Sequence, residues 1–363
     1  MLYSCNPASG QPTVVGGRSG RVSGSHRRFA VDLHCHVFVP EAHALVGDAF
    51  EMEMDDLFKF ANEATNDVNA KQADTINEQL TSVERRLADM DAMGVDVQAI
   101  SPAPLQYYYA LDPELGRDAA RMINDHIATI AEEHSDRIVG LANLPMQSPE
   151  FAVAELERSV KELGLRGCEI STNVAGAELS EERFRKFWAK AEELDVVVFL
   201  HPSGFSEGRR LMDHYFINVI GNPLDTTVAV HHLIFGGVLD AYPKLKICCA
   251  HGGGYLAAYS GRIDHAHGAR SDCRRCIQEP PTSYLKRLYF DTIVFTEHQL
   301  EYLVRQYGSD HIVLGTDYPF DMGMYEPVDF VEGCAEFTDA DKSAIVGGNA
   351  AKLLGIAVPE DAQ

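Results

Sequence analysis

The sequence predicts an α/β fold, a (β/α)8 TIM barrel with long loops after strands 1 and 5, and three observations predict it. Eight short β-like runs alternate with amphipathic helical stretches, a repeat that a parallel barrel closes naturally. Several runs, VVVFL, KICCA and HIVLG among them, are apolar without interruption, as strands covered by helices must be. Four of the runs end in residues able to bind a metal, at the strand end where a barrel assembles its active site. An open, doubly wound sheet is the structural alternative.

In chain order, residues 1–28 (with GGRSGRVSGSHRR) read as a flexible tail, or an arm ordered by another subunit. They lack the apolar core of a secretory signal. Residues 29–363 read as one domain, since no composition shift divides them. Strands are expected at 29–35, 95–101, 138–144, 165–171, 196–201, 245–251, 288–292 and 311–316. Helices are expected at 83–93, where Leu87, Met90 and Met93 share a face, and at 119–133, where Met122, Ile123, Ile127 and Ile130 do. Two more are expected at 149–163 and 181–194. Long excursions at 37–80 and 202–222 follow the first and fifth strands and are candidate lids. Glu84, Arg85 and Arg86 read as a solvated helix face, and Tyr107, Tyr108 and Tyr109 as the lining of a pocket or an interface.

Of 363 residues, 45% are hydrophobic and 23% charged, an ordinary globular composition with ample material for a core. The formal net charge of −23 repels nucleic acid and anionic membranes, so neither is expected as a partner. The eight cysteines are scattered, several within apolar runs, which points to reduced thiols and a cytoplasmic protein. No stretch approaches the roughly 18 apolar residues of a membrane span.

The first strand ends in DLHCH, and strand alternation turns His34 and His36 to one side. The fifth ends in VVVFLHP with His201, the sixth in KICCAHGGG with His251, and the eighth in HIVLGTDYP with Asp317. Singly, each is more often a satisfied polar residue or a turn former. Together they converge on one barrel mouth. Three of these imidazoles with the carboxylate suit zinc, with manganese and iron as the other candidates.

The order HxH, HP, HGGG and GTDYPF resembles the amidohydrolase superfamily, and within it the branch typified by aminocarboxymuconate-semialdehyde decarboxylase and the resorcylate and carboxyvanillate decarboxylases. RLADMDAMGVDVQAIS, YPKLKICCAHGGG, GRID and GNAAKLLGI extend the likeness over nearly the whole chain from residue 29 to 356. The resemblance implies that His34, His36, His201 and Asp317 hold one divalent ion, with Asp317 also catalytic. It makes His251 the catalytic imidazole beside the ion and Arg262 a candidate binder of the substrate carboxylate. Binuclear members carry a carboxylated lysine on the fourth strand. LRGCEIS has none, which favours one ion, with Glu169 as a bridge to a second the remote alternative. Two features depart from the aminocarboxymuconate enzyme's pattern. The first long loop has Lys71 and no arginine in NDVNAKQADTINEQL, and no tryptophan follows the HP strand. A different substrate is expected.

Other motifs are weaker. HGGG and GFSEG imitate an esterase, but Ser206 falls within a loop rather than at a strand end, and the two motifs come in the wrong order. GGGYLA imitates a dinucleotide fingerprint, yet its glycines read better as room for a ligand to approach the backbone. His265, His267, Cys273 and Cys276 suggest an accessory metal knuckle only weakly, and His231 and His232 read as packing or interface residues. The expected function is metal-dependent decarboxylation of an aromatic or unsaturated carboxylic acid, without organic cofactor. A metal-dependent hydrolase of lactones, amides or C–C bonds, or a hydratase, uses the same parts, and a metal-binding protein without catalysis is the remote alternative. The apolar run at 228–238 and the excursion at 202–222 suggest a homo-oligomer, a dimer or higher.

Overall fold

The computed structural model describes residues 28–358. The expected tail lies outside them except for Arg28, which is tied down. Its guanidinium donates to Glu332 (2.6 Å), to the Asp339 carboxylate (2.8 Å) and to Ser343 (2.6 Å).

All eight expected strands form: β1 (Val31–Val37), β2 (Val97–Pro102), β3 (Ile138–Gly140, resumed after Leu141 by Ala142–Asn143), β4 (Gly167–Ile170), β5 (Val197–Leu200), β6 (Lys246–Cys249), β7 (Tyr289–Asp291) and β8 (Ile312–Val313). Each pairs in parallel with its neighbours. β3 joins β2 by its first half and β4 by its second, so Leu141 marks a shift of partner rather than an end. The ring closes between the last and first strands. The Leu33 N–H donates to the Leu314 carbonyl (3.0 Å), and the His36 N–H to the Tyr318 carbonyl (2.8 Å). The fold is a (β/α)8 barrel.

Alternation along the strands sorts the core into two layers. Val31, Leu33, Val97, Ala99, Leu141, Val197, Phe199, Cys248 and Val313 pack inside the barrel, closed by Leu353 and Leu354 of the last helix. Their neighbours Ile100, Cys168, Val198, Leu200, Ile247, Cys249 and Phe290 face the surrounding helices. Both layers are dry, which is why these strands read as unbroken apolar runs.

The helix Val83–Met93 forms as expected, capped by the Ser82 hydroxyl at its start and by left-handed Gly94 at its end. Arg86 departs from its reading as solvated. It is 2% exposed, donates to the His36 carbonyl and the Gln98 amide (3.0 Å), and lies 4.9 Å from the Tyr318 ring centre. The first excursion is largely helical rather than loop. It carries Pro40–Val46, Asp56–Lys59 and the long Glu63–Thr81, whose start is capped by Asn62. Among the helix's residues only Thr65, Ile76 and Leu80 are buried, so it carries too little apolar periodicity to declare itself. The second excursion ends in a π-turn, Ile217–Gly221, that runs into Asn222–Phe235. That helix buries Ala229, Val230, Leu233 and Ile234 within its own chain, whereas the excursion leaves Met212, Phe216 and Val219 exposed, as are Tyr255 and Tyr259 after β6. Among the described residues no helix is long and apolar enough to cross a membrane.

Candidate metal centre

His34 and His36 reach the barrel interior through a bulge. Asp32 and Cys35, three residues apart on β1, pair with Gln98 and Ile100, two apart on β2. Val31 and Leu33 therefore face inward below the bulge, and His34 and His36 face inward above it. His201 follows β5 in step with Phe199, whose ring lies 4.9 Å from that of His34. His251 and Asp317 leave β6 and β8 with φ of 55° and 57°, left-handed values that non-glycine residues rarely hold outside functional sites.

These five side chains meet. One ligating atom from each of His34, His201, His251 and Asp317 lies within 4.8 Å of the others. His36 completes the group, with Nε2 3.3 Å from Asp317 Oδ1, the same distance as His34 Nε2. His251 Nε2 is 3.6 Å from Asp317 Oδ2. The buried Nε2 atoms of His34, His36 and His201 and Oδ1 of Asp317 have no hydrogen-bond partner. Buried nitrogen and oxygen atoms that converge in this way fit a cation, and this set of residues fits a borderline divalent ion.

The surrounding residues orient the imidazoles. His34 Nδ1 contacts Asp291 Oδ2 at 2.6 Å, and His36 Nδ1 contacts the Pro102 carbonyl at 3.1 Å, which leaves each Nε2 aimed inward. Asp291 also accepts the backbone N–H groups of His251 (2.9 Å), Gly252 (2.8 Å) and Ile293 (3.0 Å), so one carboxylate fixes both the His34 ring and the His251 turn. The sequence reading passed over it, although an acid at the end of β7 is the same kind of signal as Asp317 at the end of β8. Glu169, fully buried at the end of β4, accepts from Tyr107 (2.6 Å) and lies 3.7 Å from His36 Nδ1.

Electrostatics follow from burial and neighbours. Burial alone would push the His34 imidazole down, but Asp317 and Asp291 overcome it and lift it to about 10. Burial and three neighbouring imidazoles hold His201 well below the usual histidine range. Burial would raise Asp317, yet His34, His251 and His36 keep it well below the usual carboxylate range. Burial raises Glu169.

The centre opens into a cavity of about 230 Å³, walled by Phe38, Leu57, Phe58, Leu105 and Phe320 and by the helix Glu63–Thr81. Of the five, His251 has the most exposed side chain, 16% against 7% for Asp317 and none for His34 and His36. Both excursions contribute to this cavity, and the second alone, through Asn218, Val219 and Asn222, contributes to the opening beside Tyr255 and Val294. Arg262 is not brought there: it is exposed on the helix Ser260–Ala269 and lines neither opening. The glycines after His251 serve the backbone more than a ligand. All three have φ between 60° and 73°, and a Cβ on Gly254 would stand 2.1 Å from the Pro223 carbonyl oxygen. His265, His267, Cys273 and Cys276 form no metal-ligating cluster among the described residues. Ser206 stays in its loop. His231 bonds its own helix through the Thr227 carbonyl (2.6 Å), and His232 meets Glu178 at the surface.

Against known proteins, the family model described as Amidohydrolase matches residues 31–356. The chain is 33% identical to 2-amino-3-carboxymuconate-6-semialdehyde decarboxylase of Dictyostelium discoideum, over 91% of this chain and 92% of that one. It is 24% identical to 2-keto-4-carboxy-3-hexenedioate hydratase of Sphingobium sp., over 89% and 95% of the two chains. Among solved structures it resembles 5-carboxyvanillate decarboxylase from Sphingomonas paucimobilis, with a TM-score of 0.80, 25% identity and coverage of 91% and 99%. It also resembles a dihydroxybenzoic acid decarboxylase from Polaromonas sp. that holds manganese and the inhibitor 2-nitroresorcinol, with a TM-score of 0.78, 25% identity and coverage of 92% and 99%.

Proposed function

Because the chain belongs to the amidohydrolase family, in a branch rich in decarboxylases, we propose that it is a metal-dependent carboxy-lyase releasing carbon dioxide from an aromatic or unsaturated carboxylic acid without an organic cofactor. One observation carries this reading: the buried His34, His36, His201 and Asp317 converge with the half-buried His251 on the floor of a largely apolar cavity, and three imidazole Nε2 atoms and Asp317 Oδ1 have no hydrogen-bond partner there. In this reading His34, His36, His201 and Asp317 hold one divalent ion, with zinc expected and manganese or iron as competitors. The tethered Nδ1 atoms of His34 and His36 support their part as ligands. The greater exposure of His251 and its place at both openings support a substrate-facing part.

A bound ion supplies positive charge beside the substrate's carboxylate and neighbouring oxygen. The chain does the rest. Apolar walls exclude water and hold the ring. His251 or Asp317, 3.6 Å apart, delivers a proton to the carbon that bears the carboxylate. The C–C bond then breaks, its electron pair returns to the ring, and carbon dioxide leaves. Arg262 is the candidate second hold on the carboxylate. Since it is exposed and away from its own cavity, it would act in a neighbouring protomer's site. The exposed Met212, Phe216, Val219 and Tyr259 support a homodimer, and reduced buried cysteines support a cytoplasmic setting.

Product masses decide the reaction. Hydroxybenzoic and unsaturated acids, lactones and amides are incubated with the metal-loaded protein. Loss of carbon dioxide from an acid is expected. Addition of water to an unsaturated acid, the reading favoured by likeness to the hydratase, or ring opening of a lactone, would replace it.

A further inference from the structure

One wall of the cavity is the helix Glu63–Thr81, and the side chains it presents there include Asn69 and Gln72. Three residues apart, they are neighbours on one helix face. The Asn69 Nδ2 atom is buried and has no hydrogen-bond partner, and the buried Gln72 Nε2 has only the Asp321 carboxylate beside it, which leaves it a second N–H to give. Buried amide donors left without acceptors are costly, and such atoms persist where a ligand completes them. The charge of the wall says which ligand. Among the described residues no lysine or arginine lines the cavity, and its acids are Asp317 in the metal centre and Asp321 beside Gln72. A carboxylate only accepts hydrogen bonds and needs a cation or several donors when it leaves water. A phenolic hydroxyl both donates and accepts, and so does an amide.

We propose that Asn69 and Gln72 are specificity-determining residues that read an uncharged hydroxyl on the substrate ring. The substrate then carries a single carboxylate, the reacting one, and the pocket discriminates against a second. This rests on the decarboxylase reading of the same cavity and narrows it to monocarboxylic hydroxyaromatic acids. It also accounts for the absence of an arginine from the first excursion: a neutral ring oxygen needs amides there, not a guanidinium.

The test is calorimetric binding to the metal-loaded protein, which needs no turnover. The nitro group, planar with two oxygens, stands in for the reacting carboxylate. Three probes are compared: 2-nitroresorcinol, 2-nitrophenol, which lacks the second hydroxyl, and 2-nitroresorcinol bearing a carboxylate para to the nitro group. The first should bind about tenfold tighter than either of the others. In Asn69→Leu and Gln72→Leu its advantage over 2-nitrophenol should shrink to about twofold, while metal content and 2-nitrophenol affinity stay as in the wild type. Equal binding of the three probes, tighter binding of the carboxylated ring, no binding of 2-nitroresorcinol, or variants that weaken both phenols alike would overturn the proposal. These outcomes are separable from failure of the reaction. If no acid yields carbon dioxide while the binding pattern holds, the reaction assignment falls and the recognition stands.

Discussion

Replacing Asp291 with asparagine should loosen the metal without removing any ligand. Each oxygen of the carboxylate has two partners: Oδ2 takes His34 Nδ1 (2.6 Å) and the His251 N–H (2.9 Å), and Oδ1 takes the N–H groups of Gly252 (2.8 Å) and Ile293 (3.0 Å). An amide of the same shape keeps one oxygen. If its NH2 faces His34, it donates to Nδ1, the ring's proton moves to Nε2, and the lone pair aimed at the centre is lost. If its NH2 faces the other way, Gly252 and Ile293 lose their acceptor and the turn that carries His251 loosens. Partners of ligating histidines are typically worth about 10–100-fold in metal affinity, or roughly 1.4–2.8 kcal/mol. Competition with a chromogenic chelator reads this directly, with far-UV circular dichroism to establish that the variant is folded. A folded Asp291→Asn protein that binds its ion within about twofold of wild type would refute the claim that this carboxylate orients His34.

Three further outcomes follow from the same geometry. His251→Asn should keep the ion and lose about 10²–10⁴-fold in kcat, and loss of the ion measured by elemental analysis would make His251 a ligand instead. Arg86→Met should cost roughly 3 kcal/mol in chemical denaturation, because it strands the buried His36 carbonyl and Gln98 amide that Arg86 now satisfies; a loss below about 1 kcal/mol would return Arg86 to the surface role its sequence suggests. Without the ion, Asp317 and Asp291 hold a proton on His34 up to about 10, so folded-state protonation at pH 7 opposes metal binding. Affinity should therefore rise with pH below that value, with about one proton released per ion at pH 7; calorimetry in buffers of different ionisation enthalpy counts it, and a release of zero would contradict this.

How much of this was legible in the sequence differs by element. All eight strands were, because a barrel buries both faces and so writes unbroken apolar runs such as VVVFL. His34, His36, His201, His251 and Asp317 were legible because each stands at a strand end; four of them cluster within 4.8 Å, and His36 joins them through Asp317. The bulge between Asp32 and Cys35 was not, since it turns on pairing with another strand. Arg86 was misread although its spacing to Met90 and Met93, four and seven residues on, places it on the helix face that packs inward; charge outweighed periodicity in the reading. The helix Glu63–Thr81 was missed because its buried contacts are few and its cavity-facing side chains are amides, which carry no hydrophobic signal. Arg262 illustrates the opposite limit: a motif supplies a role, and only tertiary placement shows that its own cavity lies elsewhere.

Release of carbon dioxide at the five-residue centre is the reaction proposed for this chain. The most direct measurement follows labelled carbon dioxide from a carboxyl-labelled monocarboxylic dihydroxybenzoic acid, using protein as purified, stripped of metal by chelation, and reloaded with zinc or manganese. Label in the headspace should equal the decarboxylated phenol formed, with none from the stripped protein and recovery on reloading. Equal release from stripped and reloaded protein, or conversion of the acid with all label retained in the product, would contradict it.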